Sequence, residues 1–142
     1  MNNSTGEIIC HFVDHFCAAF SVISQMKSHN QPIVRTPPGA AGYAGVQFLR
    51  DTTELAKSES ASDIEAVIDC GANPAMVIGA LRTGWKRIAF CGPEPSLTKI
   101  MSLIAKHEGE FFELNKGPVL DLYHSKNPKT DCAVWLTNLQ DY

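Results

Sequence analysis

Two rhythms of apolar and polar positions alternate along this chain, and their succession predicts strands and helices in turn. Glu7-Ile8-Ile9-Cys10-His11-Phe12-Val13 is a short run of mixed alternation, predicted as a first strand. Phe16, Ala19, Phe20, Ile23 and Met26 then fall three and four residues apart, which on a 3.6-residue turn puts them along one stripe, with Ser21, Ser24, Gln25 and Lys27 opposite. This predicts a helix capped by Asp14, whose carboxylate would accept free backbone N–H groups, and running to about His29. The β-branched Pro32–Thr36 segment predicts a second strand, stopped by Pro37-Pro38-Gly39. A second helix is expected from about Ala44 to Ser58, with Val46, Leu49, Thr53 and Ala56 on its inner face beside Phe48 and Leu55, followed by a polar linker to Asp63.

The next stretch is one unit written twice. Ala66-Val67-Ile68 and Ile88-Ala89-Phe90 are apolar runs leading to a Cys-Gly pair with a proline three residues on, so that Cys70, Gly71 and Pro74 recur 21 residues later as Cys91, Gly92 and Pro95. That spacing suits strand, turn and short helix. Asn73 is the expected cap, Pro74 the first helical residue, where a missing N–H costs nothing, and Gly84 the C-terminal stop. Trp85 is expected to pack that helix on the sheet. A fourth strand (Lys86–Cys91), a helix to about His107 with Leu97, Ile100, Met101 and Ile104 in one stripe, and a fifth strand at Phe111–Leu114 complete the pattern. After Asn115 the alternation breaks. Residues 117–123 read as extended, and Asp131 is expected to cap a short last helix whose Trp135 docks on its own domain or on a second copy.

Five strand signals alternating with helix signals predict an α/β fold with about five mostly parallel strands, because parallel neighbours need crossover connections and helices supply them. Two arrangements fit: a flavodoxin- or Rossmann-like open sheet with helices on both faces, or half of a β/α barrel, which would leave an apolar face needing a partner. The whole of residues 1–142 is expected to form a single domain, with 1–6 frayed, 7–114 as the βα core and 115–142 as a C-terminal extension.

Composition narrows the surroundings. A chain of 142 residues that is 44% hydrophobic suffices for one core. The net charge of −3, with twelve scattered Lys and Arg, argues against a nucleic-acid partner. No apolar run approaches the ~18–20 residues that span a bilayer, and MNNSTGEIIC lacks a basic start leading into an apolar run, so no membrane partner and a cytoplasmic location are expected. Five widely spaced cysteines without zinc spacing predict neither a disulfide framework nor a structural metal.

Ligands collect beyond the carboxyl ends of strands in both candidate folds. There the chain places Asp69 and Cys70, the candidate catalytic pair, as carboxylate base and thiol nucleophile. Gly39 and Gly42 in the PPGAAGYAG loop, with Gly71, Asn73 and Gly92, are the candidate ligand contacts, and Cys91 is a possible redox neighbour of Cys70. The glycine loop matches neither dinucleotide nor triphosphate signatures, so its plainer reading is a tight connection; the plainer reading of the cysteines is packing. His11 and His15 flank Asp14, but alternation along a strand opposes a shared metal site.

The run Ala80–Gly92 resembles the helix–Gly–strand–Gly unit of phosphate-binding β/α-barrel enzymes, aldolases included. A strand-borne Schiff-base lysine and a zinc histidine set are missing, so no role is carried over and no family is claimed. The sequence therefore points to a small α/β protein binding a small anionic or phosphorylated metabolite at the carboxyl edge, with no cofactor indicated. The alternative is a non-catalytic homo-oligomeric interaction or assembly module joined through the C-terminal segment. A complete acid–base–nucleophile set is lacking, which leaves enzymatic activity open.

Overall fold

The computed structural model describes residues 6–26 and 31–140, the side chain of residue 140 excepted. Of the start expected to be frayed, residues 1–5 lie outside the described residues, but Gly6 is buried and accepts the Ile33 N–H at 2.9 Å; the first helix, expected to run to about His29, ends at Ser24. In chain order the elements are β1 (Glu7–Ile9), α1 (Val13–Ser24), β2 (Ile33–Arg35), α2 (Ala40–Ala44), α3 (Val46–Ser60), β3 (Ile68–Asp69) and α4 (Pro74–Arg82). They continue as β4 (Arg87–Ala89), α5 (Ser96–Lys106), β5 (Glu110–Phe112), β6 (Val119–Asp121) and α6 (Pro128–Gln140).

All strand pairs are parallel, and they form two three-stranded sheets, ordered β2-β1-β6 and β3-β4-β5. This corrects the expected single sheet of five. The ladders are only two or three residues long, and between β2 and β3 only one bridge forms, Arg35 with Val67. The Val67 N–H donates to Val34 O at 2.8 Å and the Thr36 N–H to Val67 O at 3.0 Å, so the bridge sets the two sheets side by side. The sixth strand arises where the sequence pattern broke: β6 pairs with β1, its Asp121 in register with Ile9.

Helix positions follow local chemistry. Asp14 is not the cap of α1; Phe12 holds that position and Asp14 sits in the first turn, where its charge suits the helix N-terminus. Part of the PPGAAGYAG loop is helical as α2, and Gly45, at φ 90°, breaks it from α3. Asn73 caps α4 as expected, its side-chain oxygen accepting from the Ala75 N–H at 3.0 Å, with Pro74 first in the helix. The last helix starts at Pro128, three residues ahead of Asp131.

The helices form a single layer. α6 packs beside α1, α1 beside α3, α3 beside α4 and α4 beside α5, repeating the strand order beneath them. One apolar core lies between the layers, joining Ile8, Val34, Ile68 and Ile88 of the strands to Phe16, Phe20, Ile23, Val77, Ala80 and Ile104 of the helices. Residues of the opposite parity, Ile33, Val67, Ala89 and Phe112, make a second small core that no helix enters, with Leu114 against it. Because these residues are buried within the chain itself, the strand face away from the helices is filled by its own side chains. The apolar face that a half barrel would offer to a partner is thus absent at these positions.

The C-terminal helix also docks on its own chain. Cys132 and Leu136 are buried, and the Trp135 ring lies so close over Gly6 that a Cβ there would stand 2.6 Å from it. Trp85 is buried between α3 and the second sheet, donating its indole N–H to Val46 O at 3.0 Å, with the Arg50 guanidinium 5.9 Å from the ring centroid. Among the described residues no helix is long and apolar enough to cross a membrane.

Candidate functional site

A charge placed inside a strand decides how the carboxyl edge is built. Ile33, Val34 and Arg35 alternate across β2, so Arg35 points away from the helices, where its guanidinium is fully buried. There it reaches the strands on either side, β1 and β3. Its Nη1 lies 2.9 Å from Glu7 Oε1 on β1, its Nη2 2.9 Å from Asp69 Oδ2 on β3, and its Nε donates to Thr36 O at 3.1 Å. Asn115, just past β5 at φ 64°, donates its N–H to Glu7 Oε2 at 2.6 Å and accepts from Arg35 Nη1 at 3.4 Å. A buried guanidinium needs this density of acceptors to offset lost hydration. Among the described residues no buried side-chain nitrogen or oxygen lacks a partner.

Asp69 is held from both sides. Beyond Arg35, its Oδ1 accepts the Gly71 N–H at 2.7 Å, while its own N–H donates to Thr36 Oγ1 at 2.9 Å. It borders a cavity of about 420 Å³ beyond the ends of β3, β4 and β5. Its lining is partly apolar, with Phe90, Leu97, Met101, Phe111 and Leu114, and partly polar, with Asp69, Cys91, Glu113, Asn115 and Lys116. Lys116 Nζ is 3.1 Å from Glu113 Oε1.

The sequence-derived site residues divide on this geometry. Asp69 and Gly92 line the cavity, whereas Cys70, Gly39, Gly42, Gly71 and Asn73 do not. Cys70 faces the helical core, and burial first, then the neighbouring Asp69 charge, push its thiol up to about 12. At neutral pH it carries its proton. Cys91 sits on the other parity, exposed at the cavity, so the two sulfurs project to opposite faces rather than toward each other. Gly71, at φ 58°, makes the turn that lets its N–H reach Asp69, and Asn73 is occupied as a cap. Gly39 starts α2 at φ 63°, and Gly42 lies within that helix, where an added Cβ would meet nothing within 4 Å.

Gly92 is small for another reason. A Cβ there would stand 2.4 Å from the Phe90 ring, which folds across it. Gly92→Ala is therefore expected to cost about 1–3 kcal/mol through overpacking, read as a lower urea midpoint, while Gly42→Ala, in a helix with open space around it, raises the midpoint by the equivalent of about 0.4–1 kcal/mol.

Neither a protein-family model, nor a curated protein, nor a solved structure matches this chain.

A second polar group occupies the same edge across the first sheet. His11 Nε2 lies 2.7 Å from Asp121 Oδ1, which also accepts the Tyr123 N–H at 3.0 Å. The His11 ring meets Tyr123 edge-on at 4.9 Å between centroids and Phe12 at 6.2 Å. Asp121 is held below the usual carboxylate range: burial pushes it up, but the Tyr123 N–H, the His11 hydrogen bond and the nearby histidines outweigh that. Sequence reasoning missed this group, since His11 and Asp121 are 110 residues apart and meet only through the β1–β6 ladder. It missed Arg35 and Glu7 too, although a charge among β-branched residues of a buried strand is a visible signal of inward pairing.

His15, third residue of α1, is buried and accepts the His11 N–H on Nδ1 at 3.0 Å. That bond requires an unprotonated Nδ1. Burial, with the adjacent His11, lowers its pKa from 6.5. The unfolded chain then takes up the proton first, so stability is full above about pH 6.5 and falls as pH drops toward the lowered folded value. The thermal midpoint is expected to be lower at pH 5.5 than at 7.5, and His15→Gln, whose side-chain oxygen accepts the same N–H without titrating, should flatten that difference.

Proposed function

We propose that this chain binds a small, partly apolar anionic metabolite in the cavity beyond β3, β4 and β5, and that the strands with their single helical layer act as a partial β/α barrel opening at its carboxyl end. The observation that carries this reading is the cavity itself. It lies at the edge where such folds place ligands, and its lining combines apolar side chains with a few polar ones. Lys116 is the cation on the lining, set against Glu113 and against Asp69, which shares the single charge of Arg35 with Glu7. A ligand carboxylate would exchange with Glu113 for Lys116 while its hydrocarbon part covers Leu97, Met101 and Leu114.

A phosphate seated at a helix start is the weaker version. The first turn of α4 is taken up by Asn73, and that of α5 by the Glu94 carboxylate, which accepts the Thr98 N–H and hydroxyl, both at 2.8 Å. An added phosphate at α5 would meet a carboxylate already in place.

Thermal shift of the full chain against short-chain mono- and dicarboxylates, the matching neutral alcohols and inorganic phosphate tests the reading. Carboxylates are expected to raise the midpoint, since a ligand at about a hundred times its Kd adds about 2.7 kcal/mol. Lys116→Ala and the cavity-filling Leu114→Trp should each abolish the effect. A flat response to every probe, or one that survives both substitutions, rejects it.

A further inference from the structure

We propose a second reactive position on this edge: His11 is a general base, oriented by Asp121, that accepts a proton from a water or ligand hydroxyl attacking an acyl carbon. This goes beyond the cavity reading and does not depend on it. Three features of the geometry converge. The imidazole is oriented by Asp121, 2.7 Å from its Nε2, while the His11 main chain is held by its N–H donating to His15 Nδ1 at 3.0 Å. An ionised carboxylate can only accept, so Nε2 carries a proton, and in the neutral ring the Nδ1 lone pair is then left over. No hydrogen bond to that Nδ1 is found among the described residues.

Access is the third feature. The His11 side chain keeps 18% of its surface exposed, between Phe12 and Tyr123, whose rings are themselves more than half exposed. His11 stands beyond Ile9 on the same parity as Arg35 and Asp121, on the strand face away from the helices. An ion pair needed only to hold β6 on β1 does not require flanking aromatic rings in solvent. An oriented imidazole with a carboxylate on one nitrogen and a lone pair on the other is the arrangement general-base catalysis uses.

The step balances without any further reagent. Nδ1 takes the hydroxyl proton as that oxygen adds to the acyl carbon. The imidazolium, stabilised by Asp121, returns the proton to the leaving oxygen as its bond to carbon breaks, giving acid and alcohol from ester and water. His11 is the catalytic residue in this scheme and Asp121 its positioning residue.

The probe is p-nitrophenyl acetate, offered to the full chain after its thiols are blocked with N-ethylmaleimide so that Cys91 does not contribute. His11→Gln is expected to lower turnover about tenfold or more, while His107→Gln, an exposed histidine at the end of α5, leaves it unchanged. Asp121→Asn should lower the rate and also alter the pH–rate profile, which loss of a structural pin would not do. A folded His11→Gln chain that turns over as fast as wild type overturns the proposal, as does an Asp121→Asn chain with an unaltered profile. Should His11→Gln not fold, carbethoxylation of the wild-type chain by diethyl pyrocarbonate, mapped by peptide mass, decides. Activity lost in step with His11 modification supports the assignment, and activity lost independently of it rejects it. Failure here with a positive carboxylate response leaves the cavity reading standing, and the reverse result leaves this one.

Discussion

Arg35→Ala is expected to lower the unfolding free energy by about 3–5 kcal/mol, enough to unfold many domains of this size at moderate urea. The guanidinium is wholly buried between Glu7, which is 1% exposed at its side chain, and Asp69 at 13%. Its removal leaves two largely buried carboxylates with only the Asn115 and Gly71 N–H groups to solvate them. Most of the loss is thus the cost of unpaired buried charge, not the net value of the pair. A second variant separates these. Arg35→Met combined with Glu7→Gln and Asp69→Asn removes all three charges and should recover a large part of the loss, as replacing buried ionic groups by uncharged ones of similar size often does. Urea unfolding followed by circular dichroism measures both; a single-variant loss below about 1 kcal/mol, the range of a surface pair, would show that the network is hydrated.

Trp85→Ala carries the second large effect, about 3–5 kcal/mol for a buried aromatic truncated to a methyl. The indole is 1% exposed and occupies the volume where the start of α3, the end of α4 and β4 meet. Trp85→Phe should retain most of the packing and lose the hydrogen bond to Val46 O, costing about 1 kcal/mol of that total. If both substitutions cost the same, the bond rather than the ring volume holds α3 in place. Because α3 follows α2, which packs on β3, loosening it should also disturb the strand that ends in Asp69.

Much of the fold was legible because it rests on local rules. Phe16, Phe20 and Ile23 recur at helical spacing and do face the core; Asn73-Pro74 and Gly84 bound α4 as their capping chemistry demands. The repeated Cys-Gly units do mark two successive strand ends, at β3 and β4. The candidate site was legible only as an edge. Of its residues, Asp69 and Gly92 are at the cavity, but Glu113, Asn115 and Lys116 come from a segment after β5 whose sequence shows no periodicity.

Sequence alone determined the alternation of strands and helices from β1 to β5, α2 excepted, the parallel sense of those strands and the edge where polar residues gather, since each follows from periodicity, caps and crossover geometry within a few neighbouring residues. Tertiary structure decided the rest. It split the strands into two sheets at a single bridge, drew β6 from the far end of the chain onto β1, and turned Arg35, Glu7, Asp69 and Asn115 into one network. It also chose between Cys70 and Cys91 by parity, burying one thiol and exposing the other. These outcomes depend on contacts between residues tens of positions apart, formed by burial of charge and apolar surface across strands, and no local pattern encodes which distant strand becomes the neighbour.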